Sequence, residues 1–88
     1  MPKRTDANQK ELVAAIRQLG VSVLILSDLG KGCPDIALGH HGINYFCECK
    51  TEKGKLTPAQ ELFFDQWRGQ VSIIKSLDDV FTLLNISP

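Results

Sequence analysis

Two acidic residues and a lysine have the types and spacing needed for metal-assisted chemistry on a phosphodiester. Pro34-Asp35 is followed along the chain by Glu48-Cys49-Lys50. Carboxylate oxygens are ligands that Mg²⁺ prefers in proteins, and a bound divalent cation activates water and stabilises charge on phosphate. A lysine ammonium beside the carboxylates would position the attacking water. The sequence therefore predicts a hydrolytic site with Asp35 and Glu48 as metal ligands and Lys50 as the catalytic amine.

A β-hairpin is predicted to bring these residues together. The apolar stretch 36–38 and the stretch 45–49 read as strands, and the segment between them, Gly39 to Asn44, reads as a turn. Alternate residues of a strand share a face, so Glu48 and Lys50 are expected to point the same way. Folding the hairpin back would bring Asp35 beside them.

The first half of the chain is predicted to begin with a helix and a strand. Apolar residues recur at helical spacing and predict a helix that Thr5 or Asp6 caps and Gly20 ends. These apolar residues are Leu12, Val13, Ile16 and Leu19. The aliphatic run 21–26 predicts a strand, and the glycine-rich residues 27–34 predict a connection.

The second half is predicted to form a helix, a strand and a last helix. Thr57-Pro58-Ala59-Gln60 has the residues of a capping box with proline in the first turn, and its helix is expected to reach about Arg68. A fourth strand is predicted over 71–75. The final helix is predicted to start at Ser76 to Asp79 and to end near Leu84.

Length and composition are those of one small domain that covers residues 1–88. The chain has 88 residues, of which 43% are hydrophobic, so it can build a single core. Its three cysteines are an odd number, which favours buried reduced thiols over a disulfide framework. Because no signal-type or membrane-length apolar run is found, the expected location is the cytoplasm.

The formal net charge is zero, which by itself argues against a nucleic-acid partner. The charges are unevenly distributed, however. Residues 1–57 contain eight Lys or Arg and six Asp or Glu, whereas residues 58–88 contain two and four. If a divalent metal neutralises Asp35 and Glu48, the surface of the first part is positive.

These residues and the order of the predicted elements resemble the PD-(D/E)xK nuclease superfamily, and above all its VRR-NUC branch of small phage and bacterial proteins. The matching segments are Asp6-Ala7-Asn8-Gln9, Gly30 to Asp35, Glu48-Cys49-Lys50, Leu56 to Gln60 and Trp67 to Val71. The resemblance implies an α/β fold with a restriction-endonuclease-like α-β-β-β-α-β core, a C-terminal helix and a mixed sheet flanked by helices.

The resemblance also implies an activity and partners. Proteins of this kind hydrolyse DNA with Mg²⁺ or Mn²⁺, and the stand-alone members resemble Holliday junction resolvases that act as homodimers on branched DNA. The expectation is therefore a structure-selective endodeoxyribonuclease of repair or recombination in a bacterial or phage-infected cell. A chain this small has few ways to grip DNA, so a further protein partner is also expected.

Further site residues follow from the same resemblance. It implies the Cys49 carbonyl oxygen as a third metal ligand and either Glu11 or Asn8, which share a helix face, in the metal shell. Gln60 either completes the catalytic site or caps its own helix. The candidates for contacts with nucleic acid are Asn8, Ser27, Lys31, Lys53 and Lys55.

Two other functions remain open at this point. The fold could serve a catalytically silent DNA-binding or assembly protein. Alternatively, Cys33, His40, His41, Cys47 and Cys49 could form a zinc-binding module, although their spacing matches no common zinc pair. Three aromatic residues, Phe63, Phe64 and Trp67, are expected in the core or a dimer interface first and as a base-stacking surface second.

Overall fold

The computed structural model describes residues 7–87, with side chains from Asn8 onward. It is a mixed α/β structure with one four-stranded sheet and three α-helices, which confirms the predicted α/β class. The elements are α1 (Ala7–Gln18), β1 (Ser22–Ile25), a short 3-10 helix (Ser27–Leu29), β2 (Ile36–His40), β3 (Ile43–Cys49), α2 (Pro58–Gln66), β4 (Val71–Ile74) and α3 (Leu77–Leu84). Thr5 and Asp6, the predicted cap of the first helix, lie outside the described residues.

The sheet has the strand order β1-β2-β3-β4. The pairs β1–β2 and β2–β3 are antiparallel, whereas β3–β4 is parallel, because α2 carries the chain across the sheet between them. The β2–β3 pair is the predicted hairpin, but its turn is shorter than the predicted segment of six residues. His41 (φ 49°) and Gly42 (φ 79°) alone join the strands, since two left-handed residues match the twist of a tight hairpin.

One face of the sheet carries the hydrophobic core under α1 and α3. Buried side chains of both helices pack on inward-facing residues of the four-stranded sheet. The buried residues of this core are Leu12, Val13, Ile16, Val21, Ile36, Leu38, Cys47, Cys49, Ile74, Val80 and Leu84. Each large aliphatic side chain in this set stabilises the fold by roughly 1.5–3 kcal/mol relative to exposure. This face fixes the register of β2 and β3, because a slip by one residue would turn the core residues outward.

α2 lies on the opposite face of the sheet, where its Gln60 donates a hydrogen bond to Glu48 of β3. Phe46 alternates with the core residues of β3 and contacts Trp67, whose ring stacks on Phe63 with centroids 5.2 Å apart. The helix ends at Gln66 rather than at about Arg68, and Trp67 is already extended (ψ 124°). Extended backbone at Trp67 turns the indole back under the helix toward Phe46. Trp67 nevertheless remains 43% exposed, so α2 covers this face incompletely.

The remaining predicted boundaries are close to the observed ones. Ser76 stands at the N-cap of α3, but its side chain makes no capping hydrogen bond. Instead, Oδ2 of Asp79 accepts a hydrogen bond from the Lys75 amide at 2.7 Å. Asn85 ends α3 in the left-handed conformation (φ 57°). None of the described helices has the length and apolar character required to span a bilayer.

The glycine-rich loop before β2 packs directly on the first turn of α2. Gly30 to Cys33 form a tight turn, in which the Cys33 amide donates to the Gly30 carbonyl at 3.0 Å. Gly32 has φ 78°, and a Cβ atom there would overlap the backbone carbonyl group of Ala59. A residue without a side chain is therefore required at this position both by conformation and by space.

This contact gives a stability prediction with a matched control. Gly42 has the same sign of φ (79°), but a Cβ atom at Gly42 would meet nothing within 4 Å. Gly42→Ala should cost about 1 kcal/mol, the penalty of a left-handed alanine. Gly32→Ala should cost at least about 2 kcal/mol more, because α2 must move away from the loop. Equal losses of unfolding free energy in urea would contradict the close packing of loop and helix.

Candidate functional site

The three predicted catalytic side chains converge at one end of the sheet. Ile36 pairs with Cys47, so Asp35 lies opposite Glu48 just before β2 begins. Oδ2 of Asp35 accepts a hydrogen bond from the Cys49 amide at 2.9 Å. Nζ of Lys50 lies 3.5 Å from Oε2 of Glu48. Glu48 and Lys50 thus share a strand face, as the strand period predicts, and Asp35 faces them.

Glu48 is the most buried charged residue of the described chain, with 1% of its surface exposed. Burial first, and then the neighbouring Asp35 carboxyl group, raise the pKa of Glu48 to about 7, although Lys50 acts in the opposite direction. Its Oε2 contacts Lys50 and Gln60. Its Oε1 is buried and has no hydrogen-bond partner. A buried polar atom without a partner costs free energy, and native structures seldom leave one without a reason.

Gln60 caps its own helix and also contacts the buried carboxylate of Glu48. The side-chain Oε1 of Gln60 accepts a hydrogen bond from the Thr57 backbone amide at 2.9 Å. The backbone amide of Gln60 donates in return to the Thr57 hydroxyl, which completes the capping box. Its Nε2 donates to Oε2 of Glu48 at 2.7 Å. The two ends of one carboxamide therefore join the start of α2 to the buried carboxylate. The capping box fixes which end of the amide faces Glu48.

Cys49 contributes its backbone rather than its thiol. Its side chain is buried in the core on the opposite face from Glu48, as expected from strand alternation. Its amide points toward Asp35, and in a strand the carbonyl group of the same residue points to the same side. The Cys49 carbonyl oxygen is thus on the side of the strand that the resemblance requires of a third oxygen ligand.

The residues of the proposed zinc module are dispersed. Cys47 is a core residue, and burial raises the pKa of its thiol to about 12. Cys33 lies near Asp35 and Glu48, and burial followed by the charges of these carboxylates raises the pKa of its thiol. His40 and His41 stack on each other at the hairpin turn, with ring centroids 3.9 Å apart. Within residues 8–87, no three His, Cys, Asp or Glu side chains are grouped to hold a metal ion.

The helix α1 contacts the site through side-chain carboxamides and not through the carboxylate of Glu11. Glu11 is exposed and makes no hydrogen bond or ion pair with Asp35, Glu48 or Lys50 in the described part of the chain. Nδ2 of Asn8 donates to the Lys50 carbonyl at 3.3 Å. Ser27 faces inward, and its hydroxyl donates to the Asp35 carbonyl at 3.4 Å. Asn8 and Ser27 are therefore engaged with the backbone of the site itself.

Gln9 is a site neighbour to which the sequence reasoning assigned no role. It is only 3% exposed, and its Nε2 donates to the Ser27 hydroxyl at 2.9 Å. A signal was present in the sequence, since Gln9 precedes Leu12, Val13 and Ile16 at helical spacing. A carboxamide on the apolar stripe of a helix must find a partner inside the protein.

The three candidate lysines for phosphate contact are exposed on loops. Lys53 and Lys55 follow β3, and Lys31 is at the tip of the turn that packs on α2. Lys31 has φ 56°, between Gly30 (67°) and Gly32 (78°). The left-handed conformation costs a lysine about 1–2 kcal/mol, and this cost would be lower for glycine or asparagine. The Lys31 side chain is exposed, so its packing does not account for this strained conformation.

The donor set fits a small divalent cation. Asp35, Glu48 and the Cys49 carbonyl offer hard oxygen ligands, as Mg²⁺ prefers. The orphaned Oε1 of Glu48 lacks the partner that a cation would provide.

Comparisons with protein-family models, curated proteins and solved structures gave no match.

The raised pKa of Glu48 predicts an unusual pH dependence of stability. Because the folded state holds this proton up to about pH 7 and the unfolded state only to about pH 4.3, the unfolding free energy should fall as pH rises between these values. Glu48→Gln should abolish this fall, which has a slope of at most about 1.4 kcal/mol per pH unit. Urea denaturation in EDTA from pH 4.5 to 8 measures it.

The control for this experiment is Glu61→Gln, which changes an exposed carboxylate of α2. Its unfolding curve should follow that of the wild type at each pH. Wild type and Glu48→Gln with parallel pH profiles would show that Glu48 is ionised without penalty, contrary to its burial.

Proposed function

We propose that this protein is a metal-dependent nuclease that hydrolyses phosphodiester bonds in DNA. The observation that carries the proposal is the convergence of Asp35, Glu48 and Lys50 around a buried carboxylate oxygen without a partner. Two carboxylates alone would be common at a protein surface. A carboxylate withheld from water beside a second carboxylate and an ammonium group is what a cation site for phosphate chemistry needs.

The residues divide the work between holding a cation and orienting the reactants. Asp35, Glu48 and the Cys49 carbonyl would hold Mg²⁺ or Mn²⁺, which lowers the pKa of a coordinated water and neutralises charge on the phosphate when it is bound. The Lys50 ammonium has donors left after its contact with Glu48. It can donate to the attacking water and to a phosphate oxygen. Gln60 holds the Glu48 carboxylate in one orientation.

The succession of elements also supports a place among the PD-(D/E)xK nucleases. From α1 to β4 the order is helix, three strands, helix and strand, with α3 as a C-terminal addition. This agrees with a restriction-endonuclease-like core, and the sequence segments point to the VRR-NUC branch. The function that goes with it is a structure-selective endonuclease on branched DNA in the cytoplasm, as in Holliday junction resolvases.

A homodimer is the assembly that this function favours, because paired cuts across a junction need two sites. The described surface leaves large apolar side chains exposed on β1 and α2, among them Leu24 (62%) and Leu62 (55%). A second subunit would bury them. Sedimentation at micromolar concentration should therefore give twice the mass of the chain.

The proposed activity predicts a graded loss on substitution. With Mg²⁺ or Mn²⁺, the wild type should cleave a four-way junction faster than a flap, a linear duplex or a single strand. Asp35→Asn and Lys50→Met should each lower the rate at least about 100-fold, since each removes charge at the reacting phosphate. Asp78→Asn on α3, an exposed carboxylate remote in sequence from the site, is the matched control. DNA binding without cleavage by the wild type would instead indicate a catalytically silent protein.

Lys31 gives a prediction in which stability and binding move in opposite directions. Lys31→Asn relieves the left-handed strain and should raise the unfolding free energy by up to about 1 kcal/mol. The same change removes a phosphate contact, so DNA affinity should fall and its salt dependence should lessen by about 0.9 in log–log slope. Lys31→Arg keeps both strain and charge and should match the wild type. Unchanged DNA affinity in Lys31→Asn would exclude Lys31 from the DNA interface.

A further inference from the structure

Two consecutive carboxamides of α1 each reach a different strand end of the site. We propose that Asn8 and Gln9 form a positioning pair that sets the separation of Asp35 and Lys50. The inference rests on the proposed function, because the positioned groups are the proposed metal ligand Asp35 and the proposed catalytic amine Lys50. In this role the two side chains act through the protein backbone and touch neither substrate nor metal.

Gln9 acts on Asp35 through Ser27. Its Nε2 donates to the Ser27 hydroxyl at 2.9 Å, and that hydroxyl donates to the Asp35 carbonyl at 3.4 Å. The Leu26 amide donates to the same carbonyl at 2.7 Å. The backbone of Asp35 is thereby held between the end of β1 and the start of α1. A shift of this backbone would move the carboxylate that accepts from the Cys49 amide.

Asn8 acts on Lys50, which immediately follows β3. The Lys50 amide donates to the Ile74 carbonyl at 3.1 Å, and the Lys50 carbonyl accepts from Nδ2 of Asn8 at 3.3 Å. Lys50 is thus tied to β4 on one side and to α1 on the other. Its backbone is fixed although the strand has ended, and its side chain starts from a defined point beside Glu48.

The helix itself is a rigid support for this pair. Leu12, Val13 and Ile16 anchor α1 in the core, one to two turns beyond the amides. Gln9 and Glu48 are the two buried polar or charged residues of the described chain, and both belong to the same end of the molecule. A buried carboxamide is costly unless it is paired, so a hydrogen-bonded Gln9 at this place indicates a specific task.

Substitutions that remove single links test the pair. Gln9→Met keeps the length of the side chain and removes the donor, Ser27→Ala removes the intermediate hydroxyl, and Ser27→Thr retains it. Gln18→Met makes the same chemical change as Gln9→Met at an exposed position of the same helix and is the control. Asn8→Ala removes the link to Lys50. Thermal unfolding identifies any variant that does not fold at the assay temperature.

The first measurement is the Mg²⁺ concentration for half-maximal cleavage of the best substrate. Gln9→Met and Ser27→Ala should each raise it by about tenfold, as is usual for partners that orient a metal ligand. The double variant should raise it no further than the stronger single variant, because both act through one chain. Ser27→Thr should restore it. Asn8→Ala should lower kcat several-fold at saturating Mg²⁺ and leave the Mg²⁺ requirement unchanged.

The second measurement needs no activity and separates failure of the pair from failure of the proposed nuclease. In ¹⁵N-labelled protein, the Cys49 amide reports its hydrogen bond to the Asp35 carboxylate. Gln9→Met and Ser27→Ala should shift its resonance and speed its exchange with solvent, whereas Gln18→Met should not. A Cys49 amide unchanged in both variants would overturn the proposal even if the wild type cleaves DNA. A perturbed amide in a protein that never cleaves would keep the pair and reject the nuclease.

Discussion

The buried carboxylate of Glu48 is the constraint on which the rest of the structure depends. A carboxylate taken out of water is destabilising unless it is paired and hydrogen-bonded. Here the neighbouring Asp35 adds to the penalty, and the pKa of Glu48 rises to about 7. Lys50 and Gln60 offset part of the cost through one oxygen, while the other has no partner. The fold therefore keeps a destabilised group at the place where a cation would be stabilising.

Each of the three charged residues of the site is connected to a carboxamide from a helix. Gln60 holds the Glu48 side chain, Asn8 holds the Lys50 backbone and Gln9 holds the Asp35 backbone through Ser27. Carboxamides suit this task because they donate hydrogen bonds without adding charge to a region with two carboxylates. The strand ends supply the charged groups, and α1 and α2 hold these groups from the two faces of the sheet.

The relative placement of Asp35, Glu48 and Lys50 could be predicted from the sequence because it depends mainly on the two-residue period of a strand. Glu48 and Lys50 share a face in any regular strand, and the hairpin brings Asp35 next to them whatever the exact turn. The turn itself was predicted too long, since Gly39, His40, Ile43 and Asn44 pair across the strands despite their composition. The end of α2 was also misplaced, because Trp67 leaves the helix to contact Phe46, a long-range contact that local propensity does not encode.

The supporting amides were harder to predict, since a hydrogen bond across the fold leaves little trace in local spacing. For Gln60 the sequence suggested either a helix cap or a site contact, and the structure shows that one carboxamide both caps α2 and donates a hydrogen bond to Glu48. Glu11 is the acidic residue of α1 that the resemblance suggested for the metal shell, yet it lies off the face defined by Leu12, Val13 and Ile16 and is exposed. The helical period of these apolar residues already implied the face that α1 turns inward, and Gln9 lies on it.

Anomalous diffraction from crystals grown with Mn²⁺ would show whether Asp35 and Glu48 share a divalent cation. We expect one strong anomalous peak between the two carboxylates, about 2.0–2.3 Å from an oxygen of each, with the Cys49 carbonyl oxygen as a further neighbour. The same peak should vanish in Asp35→Asn crystals. No peak at the carboxylates of the wild type, or a peak only at the imidazoles of the hairpin turn, would show that the two residues do not form a cation site.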